Sequence, residues 1–352
     1  MSAVNSPVVF MMPGDLHLTQ PGLPNHKTAQ WAVNEANEFI HPDFVQFIGD
    51  NVQDASSDQF RLFAELTARL LCPWNAIIGD HDVKGDPYAT EFRKRVGDPW
   101  GSSRIGGFRF VRLDTQEARP VGLSLEQLEW LRFEADDALA AGERVVLFQH
   151  NYPFQIWENF AGPRIGDWRG IVQTRPIHSI FCGHTHYWQI ANDGRNVHVA
   201  TRSIGDPEGG LPGYTLAYLC GDDLAVTYRT VEDEGPLVLV TSPRAAILCT
   251  RPEHVVSSGG ELRARVWSRA SVQKAFARLD DGPPLQLKQV GPLDWLAPLA
   301  NNLVKGIHKL SVVAEDATGA AGVEVIEFAV DPTGRYTAYP RVHPVVMATK
   351  FC

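Results

Sequence analysis

The chain has 352 residues, enough for about two domains, and an ordinary globular composition with 44% apolar and 21% charged residues. Its 41 acidic against 32 basic side chains leave a formal charge of −9, which gives no footprint for a nucleic-acid polymer and no general attraction to anionic membranes. An anionic substrate must then be attracted locally. No apolar run approaches the ~20 residues of a membrane-spanning helix, and the N-terminus lacks the basic-then-apolar layout of a secretory signal. The five cysteines (Cys72, Cys182, Cys220, Cys249, Cys352) are scattered and odd in number, so the expected location is the cytoplasm.

In chain order, residues 7–12 and 43–48 read as buried strands. Between them Ala29, Trp31, Ala32, Ala36 and Phe39 fall at helical spacing, and Phe60, Leu62, Phe63, Leu66 and Leu70 repeat that spacing before a strand at 74–78. Strand–helix–strand alternation predicts parallel pairing with right-handed crossovers. Residues 104–113 alternate as one strand. Ser124, with Glu126 and Gln127 behind it, is placed to cap a helix reaching about Ala141. Strands follow at 144–149, 177–182, 187–191, 196–201, 213–220 and 223–230. The acidic turn Glu232–Pro236 marks a change of texture. Residues 237–330 are short alternating strands split by Gly, Pro and Asp, which predicts an all-β sandwich of immunoglobulin or fibronectin III type. Residues 331–352 form a tail that can fold back on either unit.

Polar motifs follow the first-unit strands: Gly14-Asp15-Leu16-His17, Gly49-Asp50-Asn51, Gly79-Asp80-His81-Asp82, His150-Asn151 and Gly183-His184-Thr185-His186. Ligands at strand ends share one sheet edge, where open α/β sheets bind ligands, so residues far apart in sequence can converge. Asp and His are the ligand types of hydrolytic centres that carry Zn, Mn or Fe.

The order DLH, GDN, GDHD, H, GHTH over about residues 6–230 resembles the calcineurin-like metallophosphoesterase superfamily, and the compact layout is most similar to the class III cyclic nucleotide phosphodiesterases and related diesterases. The resemblance implies a four-layer α/β/β/α sandwich for residues 1–234, followed by the all-β unit at 237–330 and the tail at 331–352. It implies two metal ions per chain (Fe, Mn or Zn, with mixed Fe(III)/M(II) allowed) that activate a bridging water against a phosphoester. Asp15, His17, Asp50 and His186 would hold one ion, Asp80, His150 and His184 the second, and Asp50 would bridge. His81 would act at the leaving oxygen and Asp82 would orient it.

One position departs from the superfamily, which usually has Asn where Asp80 stands. Asp80 either substitutes one oxygen ligand for another, or its charge favours a trivalent ion and monoanionic diesters over dianionic monoesters. Contacts to substrate are expected from His26, Asn51, Asn151, Tyr152 and Arg164. The aromatic stretch 151–170, with Phe154, Trp157, Phe160, Trp168 and Arg169, reads as a loop that either packs as a lid or stacks on a base or aryl leaving group. His41 reads as a helix end, His178 and His198 as core residues, and His254, His308 and His343 as surface residues. The leading expectation is a small-molecule phosphodiesterase, with a phosphomonoesterase (nucleotidase or protein phosphatase) or a non-catalytic scaffold as alternatives. Any homo-oligomer would form through the β-sandwich or the tail.

Overall fold

The computed structural model describes residues 6–117, 121–151, 153 and 164–344. Up to residue 230 its elements are β1 (Val8–Pro13), α1 (Pro24–Glu35), β2 (Phe44–Phe47), α2 (Ser57–Thr67), β3 (Trp74–Ala76), α3 (Thr90–Arg95), β4 (Gly101–Ile105), β5 (Phe108–Arg112), α4 (Leu125–Ala141), β6 (Arg144–Gln149), α5 (Ile165–Thr174), β7 (Ile177–Cys182), β8 (Gln189–Asn192), β9 (Val197–Ala200), β10 (Gly213–Cys220) and β11 (Asp223–Thr230). Among the described residues no helix is long and apolar enough to cross a membrane.

Two sheets stack face to face. One runs β11-β10-β1-β2-β3, and the other runs β8-β9-β7-β6-β5-β4 with one further strand at its β8 edge. The period of two along each strand sorts side chains between layers. In β1, Val8, Phe10 and Met12 enter the seam between the sheets, while Val9 and Met11 face the helices. In the seam Phe10 stacks on Phe44 at 5.0 Å and meets Phe148 and Phe181 edge-on at 5.4 and 5.0 Å. Helices α1, α2 and α3 cover the outer face of the first sheet, and α4 and α5 cover the second. The result is four layers, α/β/β/α. Ser124 caps α4 as expected, accepting a hydrogen bond from Gln127 N at 3.1 Å, and Gly142 ends the helix in the left-handed region.

Two sequence expectations change and a third becomes specific. The single strand at 104–113 is a hairpin, because Gly106 and Gly107 both take positive φ (59° and 83°) and turn the chain between β4 and β5. The loop expected through residue 170 gives way to α5 at Ile165. The edge strand on β8 is the tail itself: Arg341–His343 pairs antiparallel with Ile190–Asn192.

The remaining strands are β12 (Leu237–Ser242), β13 (Gly260–Trp267), β14 (Val272–Leu279), β15 (Leu285–Gln286), β16 (Lys288–Gln289), β17 (Asp294–Leu299), β18 (Gly306–Asp316), β19 (Ala321–Val330) and the tail strand β20 (Arg341–His343). They form two four-stranded sheets, β12-β13-β17-β16 and β15-β14-β18-β19, around a core of their own. Alternation gives β12 two allegiances. Val238 and Val240 enter that core, whereas Leu237 and Leu239, with Trp267 of β13, pack into the helix-side core of the first sheet. Trp267 Nε1 donates to Ile40 O at 3.2 Å across this shared wall.

Glu35, 2% exposed, fastens the same wall. Its carboxylate accepts from Arg229 Nε at 2.9 Å, from Tyr214 OH at 3.0 Å and from Arg269 of the second unit. Removing Glu35 strands the buried Arg229 guanidinium, whereas the half-exposed Arg269 can turn to water. Glu35→Ala is therefore expected to lower unfolding stability in urea by about 3–5 kcal/mol, and Arg269→Ala by about 1 kcal/mol or less. Equal losses would contradict this ranking.

Candidate metal centre

Strands β1, β2 and β3 run parallel in one sheet, and β5, β6, β7 and β9 run parallel in the other. Their C-terminal ends therefore share one edge of the sandwich. Asp15 and His17 follow β1, Asp50 follows β2, Asp80 follows β3, His150 follows β6, and His184 and His186 follow β7. The loops bearing them are bonded to one another: His17 N donates to Asp50 O at 2.9 Å and Gly183 N to His150 O at 3.0 Å.

Five of these seven residues, Asp15, His17, Asp50, His184 and His186, have positive φ between 33° and 68°. Left-handed backbone is uncommon outside glycine, though Asp and His tolerate it better than most, and its concentration here is the kind of strain that functional sites store. The glycines before the ligands allow close approach. A Cβ at Gly79 would overlap the Asp50 carboxylate, and one at Gly49, whose φ is 98°, would overlap the His150 ring.

The donor atoms converge in three groups, Asp15–Asp50–His186, His17–Asp50–His81 and Asp50–Asp80–His150–His184, each with its atoms within 4.8 Å of one another. Asp50 is common to all three. Asp80 Oδ1 lies 3.2 Å from His150 Nε2 and 3.1 Å from His184 Nδ1. Nε2 of His17 and Nε2 of His186 are 3.2 Å apart. His150 Nδ1 donates to Ile48 O at 2.9 Å, which leaves Nε2 facing the carboxylates, since a carbonyl can only accept.

The donor set suits cations. Asp15 Oδ2 is buried without a hydrogen-bond partner, and burial pushes its carboxyl up to about 8. Burial also pushes His17 down to about 4, so its imidazole is neutral near pH 7 and could donate a lone pair to an ion. Burial would raise Asp80 too, but its bonds to His150 and His184 outweigh that and hold it well below the ordinary carboxylate range. A metal ion relieves both problems, since it gives the crowded carboxylates a countercharge and the facing imidazole nitrogens a common partner.

His81 lies at the mouth of the site. Its backbone N donates to Asp50 Oδ1 at 2.9 Å, and its Nδ1 pairs with the carbonyl of Gln53 at 2.8 Å. It lines an open cleft with His17, His186, Asn25, Gln53 and Asp206. Asp82 does not hold the His81 ring, which corrects the expectation. The short helical turn His81–Val83 sends it inward, where it is fully buried. There its carboxylate accepts from Gly79 N (2.9 Å), Asn51 N (3.2 Å), Asn51 Nδ2 (2.8 Å) and Val52 N (3.0 Å), clasping the loops after β2 and β3. Burial pushes it up to about 7.

The expected substrate contacts fare unevenly. Asn51 is buried under that clasp, with Nδ2 also donating to Ile77 O at 2.9 Å. Asn151 is buried too, its Oδ1 accepting from Thr115 Oγ1 at 2.6 Å and Gln116 Nε2 at 2.9 Å. His26 does not line the cleft and instead accepts from Gly22 N at 3.0 Å, closing its own loop. Arg164 is an exposed residue at the N-terminal boundary of α5, its Nη1 3.5 Å from Leu123 O. Trp168 is packed in the core beside Ile171 and Val172. Tyr152, Phe154, Trp157 and Phe160 lie outside the described residues. Among the histidines expected at the surface, His308 is buried with Nδ1 2.8 Å from Asp280, and His254 sits 3.0 Å from Asp222. Sequence reasoning missed Gln53, Asn25, which donates to Leu16 O and His17 O (3.1 and 2.7 Å), and Ser203, whose hydroxyl donates to Asp15 O at 2.8 Å. All three act through backbone carbonyls or loop placement, which carry no motif.

Residues 10–188 match the family described as calcineurin-like phosphoesterase, a span of more than half of the chain. Over 136 residues the chain is 32% identical to the 3′,5′-cyclic adenosine monophosphate phosphodiesterase CpdA of Pseudomonas aeruginosa, covering 36% of this chain and 46% of that protein. The chain thus spans about half the length of this curated relative. Among solved structures it is similar to a dimetal phosphatase from Danio rerio (14% identity, TM-score 0.56, 63% of this chain and 96% of that one). It is also similar to the purple acid phosphatase PPD1 of yellow lupin (14% identity, TM-score 0.51, 65% and 52%). At such identities the likeness is one of fold.

The corrected place of Asp82 has a measurable consequence. Asp82→Ala leaves several buried N–H groups without acceptors, at about 1–3 kcal/mol for each left unsatisfied. Melting temperature and bound metal are expected to fall together, while the dependence of rate on leaving group stays as in the unaltered protein. A selective loss on poor leaving groups, with full metal and full stability, would return Asp82 to the role of orienting His81.

Proposed function

The chain belongs to the calcineurin-like phosphoesterase family, and we propose that it is a dinuclear metal-dependent hydrolase of small phosphodiesters. The observation that carries this reading is that Asp50 belongs to all three donor groups found among the described residues, so one carboxylate is placed to serve two metals. Asp15, His17 and His186 would complete one site, and Asp80, His150 and His184 the other. Fe, Mn or Zn suits such a set, including a mixed Fe(III)/M(II) pair. Bound there, two ions would supply Lewis acidity at the phosphoryl oxygens and a nucleophile drawn from water.

The protein's own part in proton transfer falls to His81. Its Nδ1 faces a carbonyl that only accepts and so carries a hydrogen, which leaves Nε2 to exchange a proton with a leaving oxygen in the cleft. The diester preference rests on Asp80 and on the likeness to CpdA. A third carboxylate beside the donors adds negative charge, and a phosphomonoester dianion meets about twice the repulsion of a diester monoanion.

We also read residues 1–234 as the catalytic unit and 237–330 as an immunoglobulin- or fibronectin III-type module, a reading supported by the separate core of β12–β19. A cytoplasmic location is proposed from the four free cysteines among the described residues. Self-association is assigned to the β-sandwich or the tail, the first supported by Ile307, Val323 and Val325, which stand exposed on β18 and β19.

Two measurements test the chemistry. His81→Ala is expected to keep its metals and lose about 10²–10⁴ in kcat, with the smallest loss for good leaving groups such as p-nitrophenol. A uniform loss across leaving groups would remove His81 from the proton transfer. Asp80→Asn is expected to raise kcat/KM for p-nitrophenyl phosphate over that for bis-p-nitrophenyl phosphate by roughly fivefold, the equivalent of about 1 kcal/mol. An unchanged ratio would leave Asp80 as a plain oxygen ligand, and a wild-type preference for the monoester would favour the phosphomonoesterase reading.

A further inference from the structure

The opposite edge of the second sheet carries a second cleft. Arg144 begins β6, Arg175 precedes β7, Arg195 sits in the β8–β9 turn, and Asp222 lies in the β10–β11 turn. Arg144 and Arg175 stand at the N-terminal ends of two parallel strands, β6 and β7, whose C-terminal ends lead to candidate metal donors, and Asp222 reaches the cleft from the β10–β11 hairpin of the other sheet. The segment after β12 closes over them with Arg244, Arg251 and His254. The cleft has a volume of about 640 Å³, within the ~300–1,000 Å³ usual for small-molecule sites.

Its charge is opposite to that of the chain. Five arginines line it against one carboxylate, Asp222, on a protein of net charge −9. Asp222 is already shared: Arg251 holds it, His254 Nε2 is 3.0 Å from it, and Arg144 Nε is 3.5 Å away. Arg175 is paired in a fork with Asp136 of α4, at 2.8 and 2.9 Å. The other two have no carboxylate partner among the described residues. Arg195 is exposed in its turn, and Arg244, half-buried, gives one Nη to the Asp222 carbonyl. Asp223, exposed at the start of β11, is near enough to feel Arg244 and adds a second carboxylate beside the cleft, still fewer than the five arginines. His178, whose Nε2 is 3.3 Å from the Asp222 carbonyl, is pushed by burial down to about 3 and adds no positive charge.

A cluster of guanidinium groups that outnumbers its acids, gathered in a concave site, suits oxyanions, since the planar guanidinium presents paired N–H groups to two oxygens of a phosphate. We propose that this cleft binds a small phosphate-bearing anion, at a site separate from the metal centre and on the far edge of the same sheet. Small-molecule occupancy fits better than a polymer, since the cations are gathered in one hollow and the rest of the surface is net acidic.

Equilibrium dialysis of the metal-loaded full-length chain against radiolabelled inorganic phosphate tests this. Two binding components are expected, and the one assigned to the cleft should survive Asp50→Ala. Arg195→Glu, at an exposed position, should weaken that component at least fivefold. Asp136→Asn, which frees the Arg175 fork, should strengthen it about twofold or more. A single component that disappears with Asp50→Ala would overturn the proposal. So would a second component that neither Arg195→Glu nor Asp136→Asn alters.

Discussion

The structure turns on one costly arrangement, the gathering of Asp15, Asp50, Asp80 and Asp82 where two sheets end. Burying like charges together is unfavourable unless each is matched, and two different solutions stand side by side. Asp82 is matched by backbone and amide N–H groups and so works as a clasp. Asp15, Asp50 and Asp80 are faced by imidazoles and by one another, with Asp15 Oδ2 left without a hydrogen-bond partner. The second group could hold cations, and the first holds its loops in place. The left-handed backbone at five of the candidate donors and the bare Cα atoms of Gly49 and Gly79 are the local consequences of packing so many donors into one point.

Much of this was legible in the chain. Strand runs ending in Gly-Asp or Gly-His place donors on one edge by topology alone, and parallel pairing then makes five separate loops meet. The hydrophobic alternation that splits β1 between two cores is likewise visible in VVFMMP. What was not legible follows from backbone direction. Asp82 adjoins His81 in sequence, but a single helical turn points the two side chains to different places, and the group that meets the His81 ring is a main-chain carbonyl belonging to Gln53. His26 looked available in a loop and is instead consumed by that loop's own N–H. The return of the tail as strand β20 depends on an edge of β8 being open, which no local pattern in residues 331–352 records.

The sandwich is also polarised from end to end. Its C-terminal edge gathers carboxylates and imidazoles, and its N-terminal edge gathers guanidinium groups around Asp222. The segment after β12 contributes to the second of these, so the β-rich unit is more than an appendage. It supplies Leu237, Leu239 and Trp267 to the helix-side core of the first sheet and Arg269 to the buried Glu35, while its other face closes a core of its own.

The central claim is that Asp50 serves two ions at once. Anomalous diffraction from crystals of the metal-loaded protein, paired with elemental analysis of Asp50→Ala, tests it most directly. The account predicts two peaks about 3.5–4 Å apart on either side of the Asp50 carboxylate, with both ions absent from the variant. A single peak, or an Asp50→Ala protein that retains two ions, would contradict it.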